Sequence, residues 1–186
     1  MTELLYLGDW SCRITSSQNT VLYINPDKGK DYSRKADIIL QTTETNKSLV
    51  QLHITTDQTK IINPDLLGVG DKFNHQGIQI ERIADGAYRI SVDDKKILVC
   101  GKQEIIVDGK DDYVLVPILY MQISEERMAN LAKQIIPVHT SEVALFDYRV
   151  AIALRVENKF IIEPSMMIDL QEKNHRNLKE LENQLY

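Results

Sequence analysis

Ala36-Asp37-Ile38-Ile39-Leu40-Gln41-Thr42 is a short apolar run bounded by charged and polar residues. A central strand buried on both faces has this composition, because neither face meets water. Upstream, Glu3 to Gly8, Ser11 to Thr15 and Thr20 to Ile24 have strand character. The last two are joined by a polar Ser16-Ser17-Gln18-Asn19 turn. Asn25-Pro26-Asp27-Lys28-Gly29 then breaks the pattern, since proline removes a donor and glycine admits positive φ. Downstream come Lys60 to Ile62 and a meander of Gly77 to Ile83, Ala87 to Val92 and Lys95 to Cys100, with Asp93-Asp94 as its second turn. Tyr113 to Ile118 is another buried run.

Helical spacing enters after this point. Met128, Leu131, Ala132 and Ile135 recur on one face before Pro137 stops the helix. Ser124 and Arg127 do not complete a capping box, but Glu125 and Glu126 suit the positive end of the helix dipole. Val150 to Val156 fits a strand by alternation and a helix by the spacing of Ala151, Ala153 and Leu154. Phe160 to Ile162 and Met166 to Ile168 read as closing strands. From Gln171 to Tyr186 the chain is polar, with Leu178, Leu181 and Leu185 on one stripe, which predicts an amphipathic helix.

The whole chain has 186 residues, enough for about one domain with a well-buried core. It is 43% hydrophobic and 26% charged, which excludes a disordered or fibrous chain. Lys+Arg 22 against Asp+Glu 27 leaves a net charge of −5, so the broad basic field of a duplex DNA binder is missing. No apolar run approaches a membrane span, and Met1-Thr2-Glu3 does not open a signal peptide. Neither DNA binding nor membrane insertion is expected, and cytoplasm is the expected compartment.

Motifs for familiar chemistry are scarce. Cys12 and Cys100 stand alone among apolar residues, which excludes a zinc ribbon and predicts buried reduced thiols. Gly68-Val69-Gly70 lacks the third glycine of a dinucleotide loop, and there is no P-loop. His53, His75, His139 and His175 are dispersed; His75, in Asn74-His75-Gln76-Gly77, and His175, on the charged tail, read as solvated. The acidic doublets Asp93-Asp94, Asp111-Asp112 and Glu125-Glu126 read as solvated turns or a helix start rather than as catalytic pairs.

The order of these pieces resembles the metallo-β-lactamase superfamily, in particular its compact bacterial hydrolase branch. Tyr6-Leu7-Gly8 with Trp10-Ser11-Cys12 resembles a Leu-Gly-His-Ser-Cys start, and Tyr23-Ile24-Asn25-Pro26 resembles an Ile-Asp-Pro turn. Phe160-Ile161-Ile162-Glu163-Pro164 is similar to the closing Leu-x-Pro-Gly-Glu segment. The resemblance covers roughly residues 3 to 170. It implies an α+β fold, a four-layer αββα sandwich, over 1–170, with residues 171–186 as an added C-terminal amphipathic helix. It also implies one or two metal ions at an edge of the sheets, held by His and Asp ligands, that activate water for hydrolysis.

Residue by residue, those ligands are replaced. Where the family has His-x-His-x-Asp-His, this chain has Thr43 and Thr45 for the first two histidines, Lys47 for the aspartate and Ser48 for the last histidine. Lys102 takes the place of the bridging aspartate, and Asn25 that of the supporting one. Of the family's histidines only the final one is retained, as His139. Hydroxyls are poor zinc ligands. Two ammonium groups in place of carboxylates would repel a divalent cation, by on the order of 4 kcal/mol per unit charge at about 4 Å and a dielectric near 20.

The resulting expectation is a metal-free pseudoenzyme with no cofactor, serving as a binding or assembly module. Thr43, Thr45, Lys47, Ser48, Lys102 and His139 would line the former metal site, where the lysines and histidine could receive an anionic small ligand. The Leu178–Leu181–Leu185 stripe would dock on the chain's own body or join a homo- or hetero-oligomer. The alternative is a divergent zinc- or manganese-dependent hydrolase of a phosphodiester, lactone or other small molecule, using His139 with acids such as Asp9, Glu44 or Asp85.

Overall fold

Alternating residues of the first strands face one another across a β-sandwich. The computed structural model describes residues 1–8, 11–27, 32–42, 53–63, 65–100, 110–116, 124–135, 141–153 and 159–172. Strands β1 (Glu3–Gly8), β2 (Ser11–Thr15), β3 (Val21–Ile24), β4 (Ile38–Leu40), β5 (Lys60–Ile62) and β13 (Met167–Asp169) form one sheet, in the order β13-β1-β2-β3-β4-β5. Its β13/β1, β1/β2 and β2/β3 pairs are antiparallel, whereas β3, β4 and β5 run parallel.

The second sheet starts as an antiparallel meander, β6 (Lys72–His75), β7 (Ile78–Ala84), β8 (Ala87–Val92) and β9 (Lys95–Cys100). It continues in parallel from β9 through β10 (Tyr113–Val116) and β11 (Glu142–Leu145) to β12 (Lys159–Ile161). Helix α1 (Glu125–Ile135) lies in the chain between β10 and β11. Helix α2 (Tyr148–Ala153) joins β11 to β12 and rests on both.

Inward-facing side chains fuse the two sheets. Leu4, Tyr6, Ile14, Leu22, Ile24, Ile38 and Leu40 meet Ile80, Tyr88, Ile90, Ile97, Val99 and Leu115 in one cluster. Each fully buried Leu or Ile contributes roughly 1.5–3 kcal/mol. The alternate residues of β9–β11, including Leu98, Val114 and Val143, are also buried, as parallel strands require. On the other sheet, Val21, Tyr23, Ala36, Ile39 and Ile54 form a smaller outer cluster. The structure thus gives a sandwich of two mixed sheets. Helix is confined, among the described residues, to α1 and α2.

Several local expectations are met and some are corrected. Strands β1, β2, β5, β8 and β9 fall where the alternation places them, and Asp93 turns β8 into β9 at φ +51°. Ser124 caps α1: the Arg127 amide donates to its Oγ (3.3 Å) and the Met128 amide to its carbonyl (2.9 Å). Of the ambiguous stretch Val150 to Val156, residues 150–153 lie in α2, so helix prevails over them, and residues 154–156 lie outside the described residues. His75 is half-buried in an edge strand rather than free in a turn; the turn is Gln76-Gly77, both at positive φ. Asp111 is not solvated either. It is 3% exposed and grips the Arg89 guanidinium with both oxygens, at 2.7 and 3.1 Å. Of the expected tail helix, residues 173–186 lie outside the described residues. No helix among the described residues is long and apolar enough to cross a membrane.

Candidate functional site

The two sheets share a polarity. Tyr6, near the end of β1, stacks on Phe146, just past the end of β11, with ring centroids 4.6 Å apart. The carboxyl ends of β3, β4 and β5 therefore lie at the same end of the sandwich as those of β9, β10 and β11. In sheets with parallel strands this is the end where ligands bind. In sequence, β4, β9 and β10 are followed by residues 43–52, 101–109 and 117–123, which lie outside the described residues.

Thr43, Thr45, Lys47, Ser48, Lys102 and His139 all lie outside the described residues, as do Asp9 and Glu44. What the structure describes is where their flanking strands stop. β4 ends at Leu40 and β9 at Cys100, both at the carboxyl end. β11 begins at Glu142, level with Tyr113 and Ile97 at the opposite end of the parallel strands. Asp85, the remaining acid considered for the site, is exposed and pairs with Arg82 at 3.2 Å.

At the root of the loop after β4, Asn25 and Thr42 are joined closely. The Thr42 amide donates to Asn25 Oδ1 (2.9 Å), and Asn25 Nδ2 donates to Thr42 Oγ1 (2.9 Å). The Asn25 amide itself donates to the Leu40 carbonyl (2.8 Å), tying the end of β3 to the end of β4. Asn25 sits at φ +47°, a left-handed conformation that asparagine tolerates better than most residues. Thr42 is 1% exposed. The acid of the Ala36-Asp37 pair works at the other end: Asp37 Oδ2 accepts the Val21 amide at 2.8 Å and so starts β3.

Cys12 and Cys100 are free, buried thiols. Burial pushes Cys12 up to about 12 and Cys100 higher still, so both stay protonated. Where β3, β4 and β9 end, the described side chains are thus a neutral amide and a hydroxyl bonded to each other, and a protonated thiol, while Asp85 and Asp147 are held by Arg82 and Arg149. They do not fit a divalent metal. Among the described residues no three or more His, Cys, Asp or Glu side chains stand together where they could hold one.

Sequence reasoning missed the polar ties at the amino end. Asp93 accepts hydrogen bonds from the Thr2 hydroxyl and from the Ser17 amide and hydroxyl, the last two at 2.9 and 2.7 Å. Gln171 Nε2 donates to Thr2 Oγ1 (3.0 Å) and Asp94 Oδ1 (2.8 Å). The Tyr113 hydroxyl donates toward the carbonyls of Leu170 and Glu172, at 3.0 and 3.2 Å. The acidic doublets were the available signal, but their partners lie far along the chain.

No protein-family model matches the sequence, and no curated protein matches it. Solved structures do match in fold. The metallo-β-lactamase fold protein YhfI of Bacillus subtilis aligns over 90% of this chain and 98% of its own, with TM-score 0.59 and 9% identity. A Thermotoga maritima protein, assigned to the metallo-β-lactamase superfamily as a zinc-dependent hydrolase, aligns over 84% of this chain and 82% of its own, with TM-score 0.56 and 11% identity. Zinc-bound PqqB of Methylobacterium extorquens aligns over 86% of this chain and 85% of its own, with TM-score 0.50 and 10% identity. The chain has the metallo-β-lactamase fold. At such identities the likeness speaks for the fold alone.

Proposed function

We propose that this chain is a metal-free pseudoenzyme of the metallo-β-lactamase fold, acting as a binding or assembly module. The observation that carries this reading is the Asn25–Thr42 pairing. It stands where the resemblance places an aspartate and roots the loop that would carry most of the ligands. Both polar atoms of the Asn25 side chain are bonded to Thr42, and a neutral amide supplies no charge to balance a cation. The sequence beyond it supports the same reading: Thr43, Thr45 and Ser48 are weak ligands, and Lys47 and Lys102 are cations. The proposal extends to the architecture, with helical layers over both outer sheet faces, and to a cytoplasmic location.

The purified chain should be loaded with zinc or manganese, desalted and assayed for bound metal by mass spectrometry. The expected result is far below one ion per chain, with no chelator-sensitive phosphodiesterase or lactonase activity. Retention of one ion per chain would overturn the proposal in favour of a divergent hydrolase.

The assembly role falls to the stripe Leu178, Leu181 and Leu185. Because Gln171 and Glu172 bond to the body, the informative truncation ends at Glu172. The shortened chain should melt like the parent and lose its self-association or partner in light scattering. A collapse of the fold would instead assign the tail to the chain's own core.

A further inference from the structure

The outer face of β2 carries a row of polar side chains under cover. Cys12 and Ile14 point into the sandwich, so Ser11, Arg13 and Thr15 share the opposite face. They are 0%, 8% and 3% exposed. Charged residues are seldom buried so deeply unless paired. Yet among the described residues no carboxylate pairs with Arg13. Its Nε has no hydrogen-bond partner, and its Nη1 has only a long contact, 3.4 Å, to Ser33 Oγ.

The hydroxyls beside it are also underused. Thr15 Oγ1 makes no hydrogen bond, and Ser11 Oγ makes none of good geometry, although it lies beside the Tyr32 hydroxyl. In register, Arg13 stands between Leu5 of β1 and Tyr23 of β3. The acid nearest in register, Glu3, is opposite Thr15 and forms no ion pair with Arg13. Ser33 is exposed, so the guanidinium reaches from the covered face toward an accessible rim. The row belongs to the outer face of the first sheet, not to the loops at the carboxyl end.

From this row we infer that Arg13, with Thr15 and Ser33, forms a binding site for a small oxyanion, the carboxylate or phosphate group of a small molecule. A guanidinium presents paired N–H donors that match two oxygens of such a group, and flanking hydroxyls can donate to the rest. The charge is already desolvated, so a bound oxyanion supplies the partner that the chain itself withholds.

The test is a titration of the full chain with sodium phosphate and, separately, sodium acetate, at constant ionic strength set with sodium chloride. Thermal shift and calorimetry read the response. A saturable response to either anion is expected; phosphate alone marks a tetrahedral group, acetate alone a planar one. Arg13→Met should abolish it, and Arg13→Lys should weaken it by at least about tenfold by losing the paired geometry. In chloride alone, Arg13→Met should melt no lower than the parent, since only the long contact to Ser33 is lost. Absence of a saturable response to both anions, its persistence in R13M, or a markedly lower melting temperature of R13M in chloride would each overturn the inference.

Discussion

Where β9, β10 and β11 begin, Asp93, Asp94, Asp111 and Asp112 each hold a partner from a distant segment; where β3 and β4 finish, Asn25 and Thr42 hold one another. The amino end is closed by charge-assisted bonds that cross between sheets and turns. At the carboxyl end, the tie between β3 and β4 is neutral, and the ion pairs Arg82–Asp85 and Arg149–Asp147 stay within three residues of sequence. Long-range ties thus fix the sandwich where β9, β10 and β11 begin.

The largest expected effect falls on the closed end. Arg89→Met leaves Asp111 buried without its guanidinium and should cost about 3–5 kcal/mol in chemical denaturation. Replacing both, as R89M/D111L, should return most of that loss. If the double variant stays as unstable as the single one, the pair is not the tie described here.

At the carboxyl end, Asn25→Ala removes the side chain's three hydrogen bonds with Thr42 and puts alanine at positive φ, so a loss of about 1–2 kcal/mol is expected. Asn25→Gly relieves the backbone and should cost less. A loss as large as that of R89M would erase the contrast between the ends.

Asp93→Asn sharpens the comparison through pH. Partial burial pushes the Asp93 carboxyl up, but hydrogen bonds from Thr2 and Ser17 outweigh this and hold it below its ordinary value. Its stabilisation is complete above the ordinary carboxylate pKa, about 4, and is lost as pH falls through the lower folded value. The variant should be less stable at neutral pH by about 1 kcal/mol and should converge with the parent in acid. Equal offsets at all pH values would contradict this account.

The smallest effect is expected at the exposed tip before β6. Leu66→Ser and Val69→Ser remove side chains that are 63% and 64% exposed, and should change stability by no more than about 0.5 kcal/mol in thermal melts.

Much of the sandwich was legible because its inner strands alternate. Leu4 and Tyr6, Ile14, Ile90 and Val92 announce their faces. β6 was not legible: Lys72-Phe73-Asn74-His75 has one apolar residue, and its pairing is carried by backbone bonds to β7. β11 offers only Val143-Ala144-Leu145, too short for a period to distinguish strand from helix. At Val150 both periods fit, and the contact of α2 with β11 and β12 decides for helix. Asp111 looked solvated because its partner is 22 residues away. At the candidate site, Asn25 was legible as a neutral replacement, but its grip on Thr42 depends on β3 and β4 lying side by side. Nothing in the residue pattern around Arg13 announces that its charge is left unpaired.

The pairing of Glu3 with Asp169 also sets a schedule. β1 forms one edge of the sheet until β13 covers it, and β13 is the last described strand of the chain. During synthesis from the amino terminus, the Leu4–Tyr6 strand therefore exists with an open flank until nearly every other strand has been made. Such a flank can recruit a neighbouring chain. The closing turn at Glu163-Pro164-Ser165, whose Ser165 amide donates to the Tyr6 carbonyl at 2.7 Å, thus brings in the strand that covers this flank of β1.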